Sequence, residues 1–152
     1  MISLLLVTLI HGPADVASLA AASDAVAQAE VVNSESHWVN GQIFTTFRLR
    51  SVEALKGTVE PEFRVLVEGG AVGQFVQTVL GVAAFQSGEQ VVVFLHRRTA
   101  GVYSVQHLAL GKFTLQAGRA VRDRRGLECV GCSASEPDAL SLQDLRAQVR
   151  SK

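Results

Sequence analysis

The stretch Gln42-Ile43-Phe44-Thr45-Thr46-Phe47-Arg48-Leu49-Arg50 alternates without a break. Ile43, Thr45, Phe47 and Leu49 fall on one side, and Gln42, Phe44, Thr46, Arg48 and Arg50 on the other. A period of two is the mark of a strand with one face in a core and one in water. Asn40-Gly41 stands just before it, and this pair supplies the positive φ angles of a tight hairpin turn. Residues 25–38 and 42–54 are therefore expected to pair antiparallel.

Working outward, more strand signals follow. Lys56-Gly57 ends the second strand and Pro61 breaks the chain. Phe63, Val65 and Val67 alternate with Arg64, Leu66 and Glu68, and Gly69-Gly70 closes this third strand. Residues 71–87 read as a long loop with a short strand at 75–79. Val91-Val92-Val93-Phe94-Leu95 is a continuous apolar run, expected of a central strand buried on both faces. Arg97–Gly101 reads as a turn. Strands are expected at 102–109 and 112–116 with a bend at Gly111, and a short one at Ala120-Val121. Residues 122–138 read as a polar loop.

Helices are expected only at the ends. Asp15 is placed to cap a short helix over 15–23, in which Val16, Leu19 and Ala20 share a face. Ser141 is placed to cap a final helix over 142–150, where Leu142, Leu145 and Val149 recur at helical spacing. Five to seven strands with terminal helices indicate a small β-barrel or sandwich.

Composition sets bounds on function. The chain has 152 residues, 48% of them hydrophobic and 18% charged. That balance excludes a mainly disordered chain. Fourteen basic and fourteen acidic side chains cancel, so no overall field favours nucleic acid. The charge is nonetheless uneven. Residues 1–47 carry four acidic and no basic side chains, whereas residues 97–125 carry seven basic and one acidic. Arg119, Arg122, Arg124 and Arg125 form the densest basic patch. Aromatic residues are only 6%, too few for the base-stacking platform of a nucleic-acid-binding barrel, and a solvated arginine loop is the better account.

Ile2–Ile10 is an apolar run of nine residues. It is too short to span a bilayer and fits the central region of a secretory signal peptide. Cleavage after Ala14 would leave residues 15–152 as one domain, secreted or periplasmic, with no integral membrane segment. Against this stands the lack of any Lys or Arg before Arg48; the alternative is a buried first strand.

Ser23–Val31, Glu53-Ala54-Leu55-Lys56-Gly57 and Gly88–Leu95 together carry a resemblance. Their order, an acidic lead into a first strand, a strand ending Lys-Gly, and Gly-Glu before a buried strand, resembles a group of uncharacterised exported bacterial proteins. More distantly it is similar to the netrin-like modules, which include the tissue inhibitors of metalloproteinases. The resemblance covers about residues 23–116 and implies an OB-like β-barrel. It does not carry the inhibitors' mechanism, which uses a mature N-terminal cysteine on the protease zinc. No cysteine stands near Asp15 here.

Cys129-Val130-Gly131-Cys132 is the sharpest local motif. Such a pair can exchange disulfides, supply half of a zinc site, or close a small disulfide loop. An exported chain favours the last. A zinc site would have to borrow from His11, His37, His96 or His107, which have no ligand-like spacing. Gly69-Gly70-Ala71-Val72-Gly73 is followed by Gln74-Phe75 and not by the Lys-Ser or Lys-Thr of a phosphate-binding loop. No nucleophile elbow or His-Glu-x-x-His motif is present. Glu53 and Glu89 sit near strand ends, where they would face one another across a barrel.

The expectation is an exported module without catalytic activity or cofactor, binding a protein or peptide outside the cytoplasm. An inhibitor would be one form of it. Its surface would use His37, Trp38, Phe44, Gly69, Gly70 and Phe75. The alternative is a zinc-binding or thiol-redox protein using Cys129 and Cys132. Nucleic-acid binding ranks last.

Overall fold

The computed structural model describes residues 8–11, 15–123, 127–130 and 138–151. The described chain is mainly β, with a short helix near each end: α1 (Val16–Ala22) and α2 (Leu142–Arg150). No helix among the described residues is long and apolar enough to cross a membrane.

The expected hairpin is the largest feature. Strands β2 (Ala25–Val39) and β3 (Gln42–Lys56) pair antiparallel from Val26–Lys56 to Val39–Gln42. They turn at Asn40 and Gly41, both with positive φ (49° and 81°), the conformation a two-residue hairpin needs. β3 then pairs antiparallel with β4 (Glu62–Glu68). β4 pairs in parallel with β8 (Val102–Val105). The strand β7 (Gln90–Thr99) pairs with β2 along one edge. Along its other edge it meets first β9 (Lys112–Gln116) and then β8. β9, β10 (Arg119–Val121) and β12 (Ala139–Ser141) extend the sheet antiparallel, giving eight strands where five to seven were expected. A separate ribbon is formed by β5 (Gly70–Val72) and β6 (Phe75–Gln77).

Two apolar clusters explain why residues 91–95 of β7 have no polar side. Val91, Val93 and Leu95 join Ala25, Ala27, Ala29, Val31, Leu49, Phe63, Val65 and Tyr103 in one cluster. Val92 and Phe94 join a second one, built with Val26 and Phe113 and closed by Val16 and Leu19 of α1 and Leu145 and Val149 of α2. The helices cover the second face, so a run that reads as apolar throughout is buried on both sides.

Each helix begins as its sequence implies. Asp15 Oδ2 accepts from Ser18 N at 3.0 Å, and Ser141 Oγ accepts from Asp144 N at 3.0 Å. Seven residues are too few for α1 to persist by propensity alone. Its packing and a tie at its C-terminus hold it: Lys56 Nζ donates to Ala20 O at 2.6 Å and Ser23 O at 2.8 Å.

Several boundaries differ from expectation. Arg97–Thr99 belong to β7 and not to a turn, because their backbone pairs with β8 and Arg97 N donates to Asp24 Oδ2 at 2.7 Å. The strand expected over 102–109 stops at Val105. His107 and Leu108 both take positive φ (53° and 56°) and turn the chain into a 3-10 helix over Leu108–Gly111, which buries Leu110. Gly111 therefore ends that turn and is not a bend between strands. Within the polar loop, β11 (Leu127–Val130) pairs in parallel with β1 (Thr8–His11). The rest of the apolar leader expected over 1–14 lies outside the described residues.

Candidate functional site

The exposed large apolar side chains gather largely at one end of the β2–β3 hairpin and on the β5–β6 ribbon. Trp38 is 48% exposed, Phe75 58% and Val76 73%. The Trp38 and Phe75 rings meet edge-on with centroids 5.6 Å apart and planes at 72°. Edge-to-face contact is a favoured arrangement of two aromatic rings. A pair this open to water is a ready contact surface, since burying it fully against a partner would gain what the fold has left exposed.

The ribbon that carries Phe75 is pinned in place by polar contacts. Gly69 N donates to Ile43 O at 2.8 Å, and Ile43 N donates to Gln77 Oε1 at 2.9 Å. Thr45 Oγ1 donates to Gly69 O at 2.8 Å and lies 2.8 Å from Ser36 Oγ. Gly70 has φ 137° and packs so closely that a Cβ would strike Thr45 Oγ1 and Ser36 Oγ. Gly69 and Gly70 therefore position the site from beneath rather than line it.

His37 and Phe44 are cross-strand partners, one step along from the Trp38–Ile43 pair. Alternation puts them on the opposite face of the hairpin from Trp38. The six residues named from the sequence thus divide three ways. Trp38 and Phe75 meet, Gly69 and Gly70 support them, and His37 and Phe44 face elsewhere.

That other face is a polar platform. Its rows across β2, β3 and β4 are His37–Phe44–Glu68, Glu35–Thr46–Leu66, Asn33–Arg48–Arg64 and Glu30–Arg50–Glu62. The register shift between Val31 and Asn33 lets Glu30 and Asn33 share one side while Val31 stays in the core. Arg50 Nη1 lies 3.7 Å from Glu30 Oε2. Alternation places Arg48 and Arg50 outward, but nothing in the sequence singles out Arg48 or Arg64 as a site. Their pairing depends on strand register, which the sequence leaves open.

A third region is a groove of about 510 Å³ beside residues 79–86. Lys112 Nζ lies 2.8 Å from Glu89 Oε1 and donates to Ala84 O at 2.6 Å, above the Phe85 ring at 5.1 Å. Thr114 Oγ1 donates to Glu89 Oε2 at 3.2 Å. These bonds clamp the 78–89 segment onto the sheet. Glu53 does not face Glu89. It binds Arg146 at 3.0 Å and Arg150 at 2.8 Å on α2, whereas Glu89 is held by Lys112.

The basic group is also dispersed. Arg119 lies at an exposed position of β10. Arg122 is buried at 4% exposure, with Nε 3.3 Å from Asp138 Oδ1, Nη1 donating to Leu110 O at 3.3 Å, and its guanidinium 5.1 Å from the Phe113 ring centre. A buried guanidinium with these partners is a structural post and not part of a solvated patch. Arg124, Arg125 and Cys132 lie outside the described residues. The backbone of Cys129 is in β11, opposite Ile10. Among the described residues no group of three or more His, Cys, Asp or Glu side chains is arranged to hold a metal ion. His96 Nδ1 instead lies 3.1 Å from Asp24 Oδ2.

No protein-family model matches the chain, and no curated protein matches it.

Proposed function

We propose that this chain is an exported, non-catalytic module that binds a protein or peptide through Trp38 and Phe75. The observation that carries the reading is the exposed Trp38–Phe75 pair, Trp38 on β2 and Phe75 on a ribbon fixed by Gly69, Gly70 and Gln77. Aromatic anchors held rigidly in the free protein bind at low entropic cost, and binding energy concentrates on such residues. Tryptophan is enriched among them.

The scaffold we propose is an OB-like barrel of netrin-like character. In its favour, the pairings β2–β3, β3–β4, β4–β8, β8–β7 and β7–β2 return to the strand they start from, with β4 and β8 parallel. Export to the periplasm or medium rests on the apolar run at 2–10. An inhibitor-like role would have to act through the aromatic pair.

The test is capture from the native compartment by immobilised wild-type protein and by Trp38→Ala and Phe75→Ala variants, each checked for folding. A partner retained by the wild type and lost by both variants supports the reading. Equal retention by all three overturns it.

A further inference from the structure

We propose that Arg48 and Arg64 form a binding site for a compact dianion, such as a phosphate monoester or a paired carboxylate. The two residues are direct partners across β3 and β4. Like charges placed opposite one another destabilise a sheet. Arg50, Arg97, Arg146 and Arg150 have acidic partners, with Glu30, Glu60 and, for the last two, Glu53, whereas Arg98 and Arg119 stand singly at exposed positions. Neither the Arg48 nor the Arg64 guanidinium takes a side-chain hydrogen bond or ion pair within the described residues. The fold thus holds two cations together without neutralising either.

The space around them suits a ligand. A concavity of about 510 Å³ lies on one side, bounded by Asn33, Glu35, His37 and Thr46 together with both arginines. A second, of about 370 Å³, lies on the other side against Glu62, Ala100 and Gly101. Arg64 N donates to Gly101 O at 2.9 Å and fixes that wall. Guanidinium forks bind paired oxygens bidentately, and two forks on neighbouring strands can share one doubly charged group. The Thr46 hydroxyl and the Asn33 amide add neutral donors. The surrounding acids set the size limit. Glu35 stands in the row on one side of the pair, and Glu30 and Glu62 flank Arg50 in the row on the other, so a chain of phosphates would meet carboxylates on leaving the pair. A single compact dianion would not.

This site lies on the opposite face of β3 from Trp38 and does not depend on the aromatic surface. The test is thermal unfolding of the full chain in inorganic phosphate, sulfate or succinate, against chloride at matched ionic strength and slightly alkaline pH. The expected result is a saturable rise in Tm with at least one dianion, lost in both Arg48→Gln and Arg64→Gln. Without dianion, Arg64→Gln should unfold at a higher temperature than the wild type, because the repulsion is gone. A stronger response to phosphate or sulfate points to a phosphoryl or sulfuryl ligand, and a stronger response to succinate to carboxylates. Parallel responses in wild type and variants, no response at all, or a lowered Tm for Arg64→Gln alone would each overturn the site. None of these bears on capture through Trp38.

Discussion

The Tyr103 hydroxyl donates to Glu60 Oε2 at 2.7 Å, joining the core of the sheet to the segment between β3 and β4. Arg97 completes the group, with Nη1 3.3 Å from Glu60 Oε1 and its guanidinium 5.0 Å from the Tyr103 ring centre. The ring is fully buried, edge-on to Phe63 with centroids 5.6 Å apart.

Burial and then the Glu60 bond push the Tyr103 phenol from its ordinary 10 up to about 12. The folded state therefore keeps a proton that the unfolded state loses. The stability this contributes is complete below pH 10 and is lost as pH rises towards 12. Tyr103 is the sole tyrosine, so tyrosinate absorbance reports it alone. The expected titration has its midpoint near 12 when folded and near 10 in denaturant. Glu60→Gln should lower the folded midpoint without restoring the ordinary value, because burial is the larger cause.

The same contact acts at the acid end with opposite sign. The Tyr103 hydroxyl holds the Glu60 carboxyl below its ordinary 4.5, so its contribution is present above that pH and fades as pH falls through the depressed value. Urea unfolding across the acid range should show a shallower loss of stability for Glu60→Gln than for wild type.

Replacing Arg122 by Ala should be severe. It removes a side chain that is 1% exposed and strips Asp138 and Leu110 O of a donor. Breaking a buried pair costs about 3–5 kcal/mol, and the lower end applies because Asp138 keeps partial access to water. Denaturant midpoints at unchanged m-value would measure it. A loss under about 0.5 kcal/mol, the range of ordinary surface substitutions, would show that the guanidinium is not a structural post.

Gly70→Ala tests whether the ribbon's position makes the aromatic surface. The added methyl meets the Ser36 and Thr45 hydroxyls and sits at a φ that disfavours it, so the expected cost is about 1–3 kcal/mol. Trp38 is the sole tryptophan. Its fluorescence should shift to the red as Phe75 moves away. An unchanged spectrum would mean that the ring pair does not depend on this packing.

Trp38→Ala should separate binding from folding. The ring is half exposed and its contact with Phe75 is worth about 0.5–1.5 kcal/mol, so Tm should fall only slightly. Partner affinity should drop by at least about 2 kcal/mol, roughly thirtyfold, if the ring is a binding anchor. Calorimetric titration with the captured partner measures the difference.

Some of this architecture was legible in the residues themselves. The alternation of 42–50 and the Asn40-Gly41 turn were enough to specify the β2–β3 hairpin, because side-chain period and positive φ are local properties. Asp15 and Ser141 marked both helix starts, since a cap is satisfied within three residues. The apolar run at 91–95 announced its burial on both faces, though not that α1 and α2 provide the second cover. Where chain direction changed through backbone strain, at His107 and Leu108, no residue type gave warning.

The candidate sites divide along the same line. Trp38 and Phe75 could each be named for a binding surface, one at the hairpin end and one in the 69–85 segment, but 36 intervening residues separate them, and only the docking of the β5–β6 ribbon brings their rings together. Arg122 read as one of four surface arginines and is instead buried against Phe113. Arg48 and Arg64 are ordinary outward residues on separate strands until register sets them side by side. Local preferences fix where elements begin, end and alternate. Which side chains meet across elements depends on long-range packing and strand register, and no short window of sequence contains that information.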